Sequence, residues 1–259
     1  MSVANVRTAA FVPGPALRPY VRRFLVVENL GDRTNTLLPD TAIIAGFRFR
    51  GACSRNGAEA LRAVVTGLRD LPRTLTHAAG SGTILAMFTA TGAAAFVCEP
   101  LEELFNGTMP IDAQVRRSRL ELIEEQLAEA PDHARRAQAL ERFLLDHLRR
   151  WEPSAAVSTA VARIQDAKGS LRIGELARVT GLSQSALERR FRREVGASPK
   201  KFAAIVRLRH VVRLRRAGTN LTDIAHAAGY ADQSHFIKDF RRFSGQSPEA
   251  FFSSEPTYC

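Results

Sequence analysis

The 259-residue sequence predicts an α+β N-terminal domain, a small β-barrel-like sheet plus a helix pair, followed by an all-α domain in which a linker helix joins two helix-turn-helix motifs. Three observations predict this. The first hundred or so residues alternate with period two, helical periodicity takes over after about residue 110, and the last hundred residues contain an internal repeat. The segment Trp151-Glu152-Pro153-Ser154 places the boundary, giving domains 1–152 and 153–259.

The strand reading rests on short apolar runs between turn residues. In Ala45-Gly46-Phe47-Arg48-Phe49-Arg50 two Phe fall on one face and two Arg on the other. Ala63-Val64-Val65 and Thr83-Ile84-Leu85-Ala86-Met87-Phe88 are further strands, and Pro39-Asp40, Gly51, Gly67, Gly80-Ser81-Gly82 and Gly92 punctuate the region. Phe47, Phe49, Phe88 and Phe96 are candidates either to line a ligand cavity or to fill a core. An enclosed cavity of about 300 Å³ or more would mark a ligand-binding role. Beyond the strands, Asp112 is expected to cap a helix with Leu120, Ile123 and Leu127 on one face. Pro131-Asp132 interrupts it, and a second helix carries Ala137, Leu140, Leu144 and Leu148 on one stripe. The pair either covers the sheet or offers a dimerisation surface.

The repeat is the most specific signal. Glu175-Leu176-Ala177-Arg178-Val179-Thr180-Gly181-Leu182 matches Asp223-Ile224-Ala225-His226-Ala227-Ala228-Gly229-Tyr230 at an offset of 48 residues. After the turn the offset becomes 49: Phe191-Arg192-Arg193 matches Phe240-Arg241-Arg242, and Gly196-Ala197-Ser198-Pro199 matches Gly245-Gln246-Ser247-Pro248. Each copy reads as a short helix with a small Ala at its centre, a glycine turn and a second helix capped by Ser183 or Asp232. Leu187 with Phe191, and Phe236 with Phe240, sit at i and i+4 and face inward. The opposite faces carry Arg189, Arg190, Arg192 and Arg193 in one copy and Lys238, Arg241 and Arg242 in the other. An apolar back with a basic front suits a groove lined by phosphates. Between the copies, Pro199 opens and Gly218 closes a connector of about 18 residues, roughly 27 Å long, against about 34 Å for one turn of duplex DNA.

Charge points the same way. Residues 1–152 carry 19 Lys+Arg against 17 Asp+Glu, whereas residues 153–259 carry 18 against 9, a net of +9. Such asymmetry implies a polyanionic partner. Cys53, Cys98 and Cys259 are widely spaced and lack a Cys-x-x-Cys pair, which argues against a zinc ribbon or a disulfide framework and suits a reducing cytoplasm. No signal pattern and no apolar run of about 18 residues is present, so neither a membrane span nor a membrane partner is expected. Gly-x-Ser-x-Gly, Gly-x-x-x-x-Gly-Lys and His-Glu-x-x-His are all missing, and the histidines lack ligand spacing. The expectation is no enzyme, no metal and no cofactor.

On Leu176-Ala177, Gly181-Leu182-Ser183, Leu187, Arg189 and Phe191, and on Ile224-Ala225, Gly229-Tyr230, Phe236, Phe240-Arg241-Arg242, Gly245, Ser247-Pro248 and Phe251, residues 156–254 resemble the AraC/XylS family of transcriptional regulators. The resemblance implies a bacterial, seven-helix promoter-binding domain, usually of an activator that works with RNA polymerase. It implies base contacts from Ser185, Glu188 and Arg189 in the first recognition helix and from Gln233, Ser234, His235 and Lys238 in the second. Where Ser185 stands, many members carry a larger side chain. Arg192, Lys200, Lys201 and Arg241 are the candidate phosphate contacts. The N-terminal region resembles, more faintly, a β-rich sensor-like domain of some members. Pro39-Asp40-Thr41 stands where Pro-Asp-Gly is usual, and Met87 to Gly92 lacks the expected arginine and proline. Two roles stay open for it: binding a small-molecule effector of unknown identity, or serving a constitutive regulator as an interaction or homodimerisation module without ligand.

Overall fold

The computed structural model describes residues 6–230 and 232–253. Ten strands come first: β1 Val6–Phe11, β2 Val21–Asn29, β3 Arg33–Leu37, β4 Ile44–Arg50, β5 Cys53–Arg55, β6 Ala58–Glu59, β7 Ala63–Thr66, β8 Arg73–His77, β9 Gly82–Phe88 and β10 Thr108–Pro110. They form two antiparallel sheets, one of six strands in the order β1-β2-β9-β4-β7-β10 and one of four in the order β3-β8-β5-β6. Nine α-helices follow among the described residues: α1 Arg117–Glu129, α2 His133–Asp146, α3 Ala155–Asp166, α4 Ile173–Thr180, α5 Gln184–Val195, α6 Pro199–Arg216, α7 Leu221–Ala227, α8 Gln233–Ser244 and α9 Pro248–Ser253.

The period-two alternation places successive side chains of the large sheet in different interiors. Phe24 and Val26 of β2, Ala45 and Phe47 of β4, and Ile84 and Ala86 of β9 belong to one buried core with Ile123 and Leu127 of α1 and Leu140 and Leu144 of α2. Ile84 stands opposite both Val26 and Phe47, so the three strands meet in one row there. Residues of the other parity, such as Leu25, Ile44 and Leu85, face a space between the two sheets. The helix pair therefore covers the sheet with its apolar stripe.

Two details of the pair differ from expectation. Asp112 lies in a 3-10 turn at Ile111–Ala113 and caps nothing; α1 starts five residues later, after Arg116. Leu148 lies beyond the end of α2 at Asp146, though it still packs on the core. Asp132 does cap α2, accepting from the Arg135 N–H at 2.7 Å.

The C-terminal helices divide between two cores. Val157 and Ile164 of α3, Leu176 of α4, and Leu187 and Phe191 of α5 are continuous with the core of the N-terminal region, where the 3-10 turn Leu101–Leu104 packs on α5. Ile224 of α7, Phe236, Phe240 and Phe243 of α8, and Phe251 form the second core, which also takes in Leu38. The connector α6 has 18 residues and serves both: Phe202 and Val206 enter the first core, Ile205, Leu208 and Val212 the second. A helix apolar on several sides is one that is buried on several sides. Ser198 caps it, Pro199 opens it and Gly218 follows its end at φ +90°.

Phe47 is 1% exposed and meets Phe143 edge to face, with ring centroids 5.6 Å apart. Phe47→Ala leaves a large cavity where sheet and helix pair meet, and is expected to cost about 3–5 kcal/mol. Denaturant unfolding of the full chain checks this.

Candidate functional site

Each helix-turn-helix is built as its residues require. Ala177 and Ala225 are buried at the helix crossings, and Gly181 and Gly229 adopt φ of +68° and +71°, the left-handed backbone of a tight turn. Ser183 accepts from the Ala186 N–H at 3.2 Å and Asp232 from the His235 N–H at 2.7 Å, so both second helices start on a side-chain cap. Asn220 caps α7 through the Asp223 N–H. Leu187, Phe191, Phe236 and Phe240 are buried and fix which face of α5 and α8 turns outward.

The outward faces carry the expected residues. Ser185 and Arg189 on α5, and Gln233, Ser234, His235 and Lys238 on α8, are exposed. Glu188 is half-exposed and pairs with Arg192 one turn on. Arg192, Lys200 and Arg241 are exposed as well. Ser234, Ile237, Lys238, Arg241 and Arg242 line one shallow groove along α8. The His235 ring stands edge-on to Tyr230 at 5.4 Å, which orients it at the start of the helix.

Lys201 is placed differently from the other candidates. Its Nζ lies 3.2 Å from Asp70 and 4.1 Å from the centroid of the Phe105 ring, both in the N-terminal region. Arg242 reaches the same Asp70 oxygen at 2.6 Å. Asp70 is buried and is further held by Asn106, whose amide donates to it at 2.8 Å. A second carboxylate, Asp40, forms ion pairs with Arg22 and with Arg209 of α6, each at 3.3 Å. Within the C-terminal domain, Glu194 of α5 accepts from the N–H of Ser154, the cap of α3, at 2.9 Å. Sequence reasoning did not find Asp70. Its only local signal is the turn sequence Asp70-Leu71-Pro72.

The space between the sheets is a cavity of about 220 Å³, below the roughly 300 Å³ at which drug-sized ligand pockets begin. Leu25, Ile44, Leu75 and Leu85 form much of its wall, with Arg48, Arg69 and Arg73 among them. The four phenylalanines singled out in the sequence do not line it. Phe47, Phe49, Phe88 and Phe96 pack in or against the filled core on the other side of the sheet. Among the described residues no cluster of three or more His, Cys, Asp or Glu is placed to hold a metal. None of their helices is long and apolar enough to cross a membrane.

A pair of helix-turn-helix units in tandem, each with an outward basic helix, defines a DNA-binding domain. Residues 176–254 match a family described as "Helix-turn-helix domain", and the C-terminal region is a double helix-turn-helix domain of the AraC/XylS type. The chain is 31% identical over 119 residues to the Msm operon regulatory protein of Streptococcus mutans, covering 44% of this chain and 43% of that one. Over 119 residues it is 30% identical to the HTH-type transcriptional regulator GlxA of Rhizobium meliloti (46% and 35% covered). Over 78 residues it is 32% identical to the HTH-type transcriptional activator RhaS of Pectobacterium carotovorum (30% and 28% covered). The chain thus spans less than half the length of these relatives, all named as regulators. At the level of fold the likeness extends further. ToxT from Vibrio cholerae superposes with a TM-score of 0.50 at 9% identity, over 96% of this chain and 98% of that one.

Asp70 gives the contact between the two regions a pH dependence. Burial raises its carboxyl, but the Asn106 hydrogen bond and the Lys201 and Arg242 cations outweigh burial and hold it below the usual carboxylate range. A depressed folded-state pKa contributes stability that is complete above about pH 4 and is lost as pH falls through the depressed value. Asp70→Asn is therefore expected to lower the melting temperature at pH 7 and to flatten its decline between pH 4 and pH 2. Thermal melts of both proteins across that range check this.

Proposed function

We propose that this chain is a sequence-specific transcriptional regulator that sets α5 and α8 into successive major grooves of promoter DNA. The supporting observation is the repeated unit itself, with both second helices capped alike and their polar faces exposed. In this reading Arg189 and Lys238 contact guanine O6 and N7, Gln233 reads adenine, and Glu188 accepts from cytosine N4. Ser185, Ser234 and His235 complete the base-facing set. Arg192, Lys200, Lys201 and Arg241 hold phosphates, which fix register without reading sequence. The working division is 1–152 and 153–259, and activation proceeds through RNA polymerase, as the family resemblance implies.

For the N-terminal region the reading is an effector sensor. The cavity between its sheets, about 220 Å³, falls short of a drug-sized pocket and leaves room for a small effector only; what favours sensing is that its lining connects to the DNA-binding domain over very short paths. Arg69 lines the cavity while the next residue, Asp70, holds Lys201 and Arg242. Asp40 lines it and holds Arg209, and Leu38 lines it and joins the second helix-turn-helix core. A dimerisation role for the helix pair has less support, because its apolar stripe is spent on the sheet.

Binding is expected to weaken steeply with salt. Four neutralised phosphates give a slope of log K against log salt of about −3 to −4; a slope near zero removes the electrostatic reading. Titrations of the full chain on an operator selected from random duplexes measure it.

Arg189→Ala and Lys238→Ala are each expected to cost about 1–3 kcal/mol at that operator and to relax preference at particular base pairs. Lys201→Ala should weaken all duplexes about equally. Competition binding against single-base variants separates the two behaviours. Uniform weakening by all three substitutions contradicts the assignment of base-reading residues.

A further inference from the structure

The cavity between the sheets has an unusual balance of charge. Four arginines line it, Arg48, Arg62, Arg69 and Arg73, against the single carboxylate of Asp40. Asp40 is already engaged by Arg22 and Arg209. Arg62 is exposed to water. Arg48 is provided for within the fold: it pairs with Glu59 at 3.1 Å and donates to the carbonyls of Ala60 at 2.8 Å and Gly51 at 3.2 Å.

Arg69 and Arg73 are not provided for in this way. Neither makes an ion pair among the described residues. Arg73 donates to the neutral hydroxyl of Thr66 at 3.1 Å, and its Nε is buried without a partner. The Nη2 of Arg69 is also buried without a partner. Burial brings Arg69 down to about 10, and the neighbouring charges of Arg73 and Arg55 push it the same way. Burial also lowers His77 on the same wall, as do Arg33, Arg48 and Arg73. Buried guanidinium groups without countercharge are costly, and their planar donor set matches a carboxylate.

The rest of the wall is hydrocarbon, including Leu25, Ile44, Leu75 and Leu85. An apolar cavity on the order of 150 Å³ accepts benzene. The volume here, about 220 Å³, leaves room for a ring or short chain of that size plus a head group.

We propose that this cavity binds a small organic acid, its carboxylate held by Arg69 and Arg73 and its compact apolar body enclosed by the leucine and isoleucine side chains. The proposal rests on the sensor reading of the N-terminal region and names the ligand class that region takes.

The test uses the full chain, with calorimetric titration and thermal melts at matched ionic strength. Hexanoate and benzoate are the acid probes, hexan-1-ol and benzyl alcohol the neutral ones, hexylamine the cation and inorganic phosphate the bare anion. The acids are expected to bind and raise the melting temperature. Each alcohol should bind at least about tenfold more weakly than its acid, since a charge-assisted hydrogen bond is lost. Hexylamine and phosphate should not bind. Arg69→Gln should remove the preference for acid over alcohol while leaving alcohol binding unchanged. Its melting temperature without ligand should not fall, because the group removed has no partner to lose. Arg73→Gln serves as the second variant should the first not fold. Alcohols binding as tightly as acids, or phosphate binding as tightly as benzoate, overturn the organic-acid proposal and leave a ligand cavity in place. Acid binding that is unaffected in the folded variants overturns it too. No binding by any probe overturns the proposal and the sensor reading together.

Discussion

Strands β2, β4 and β9 are buried on both faces, so successive side chains along each must serve two different interiors. One parity meets the helix pair and forms a filled core with Phe47 at its centre. The other faces the smaller sheet and leaves a space that apolar and guanidinium groups share. This division constrains what lies around it. The filled side is continuous with the first helix-turn-helix through the turn at Leu101–Leu104 and helix α5. The cavity side ends in the segments around Leu38, Asp40 and Asp70, which touch the linker helix and the second unit. Each helix-turn-helix thus rests on a different part of the same sheet structure.

The two connections differ in kind. The contact with α5 is apolar and close; a side chain at Gly196 would come within 3.0 Å of the Leu101 carbonyl. The contact through Asp70 is ionic, with Lys201 and Arg242 each about half-exposed. Ion pairs of that exposure exchange readily with water or with another anion. A phosphate backbone is such an anion. Lys201, one of the proposed phosphate contacts, is held by Asp70 in this arrangement together with Arg242.

Much of the DNA-binding region was legible because its signals are local. Gly181 and Gly229 mark left-handed turns, Ser183 and Asp232 are caps one helical turn from the N–H they satisfy, and the spacing of Phe236 and Phe240 assigns the buried face. The strand Ala45 to Arg50 was legible for the same reason, since alternation needs no knowledge of a partner. Helix α1 starts at Arg117 rather than directly after Asp112, because an acid before an apolar stripe is a cap only if the helix begins there, and here a 3-10 turn intervenes. The Asp70–Arg242 pair spans 172 residues, and no pattern along the chain encodes such a contact. The cavity arginines escaped for a related reason. Arg69 precedes β8 and Arg73 begins it, where an arginine ordinarily reads as a solvated turn residue. Of the two roles open to Phe47, Phe49, Phe88 and Phe96, the structure shows core filling: their bulk occupies the side of the sheet opposite the cavity.

The central claim is that one chain presents two DNA-reading helices on a single rigid connector, α6. Methylation protection of guanine N7 on a selected operator, with the DNA-binding region confirmed monomeric, tests it most directly. Two protected major-groove segments about one helical turn apart on the same face of the duplex are expected. A single protected segment, unchanged when α8 is stripped of Lys238 and Arg241, would contradict it and leave α5 as the sole reader.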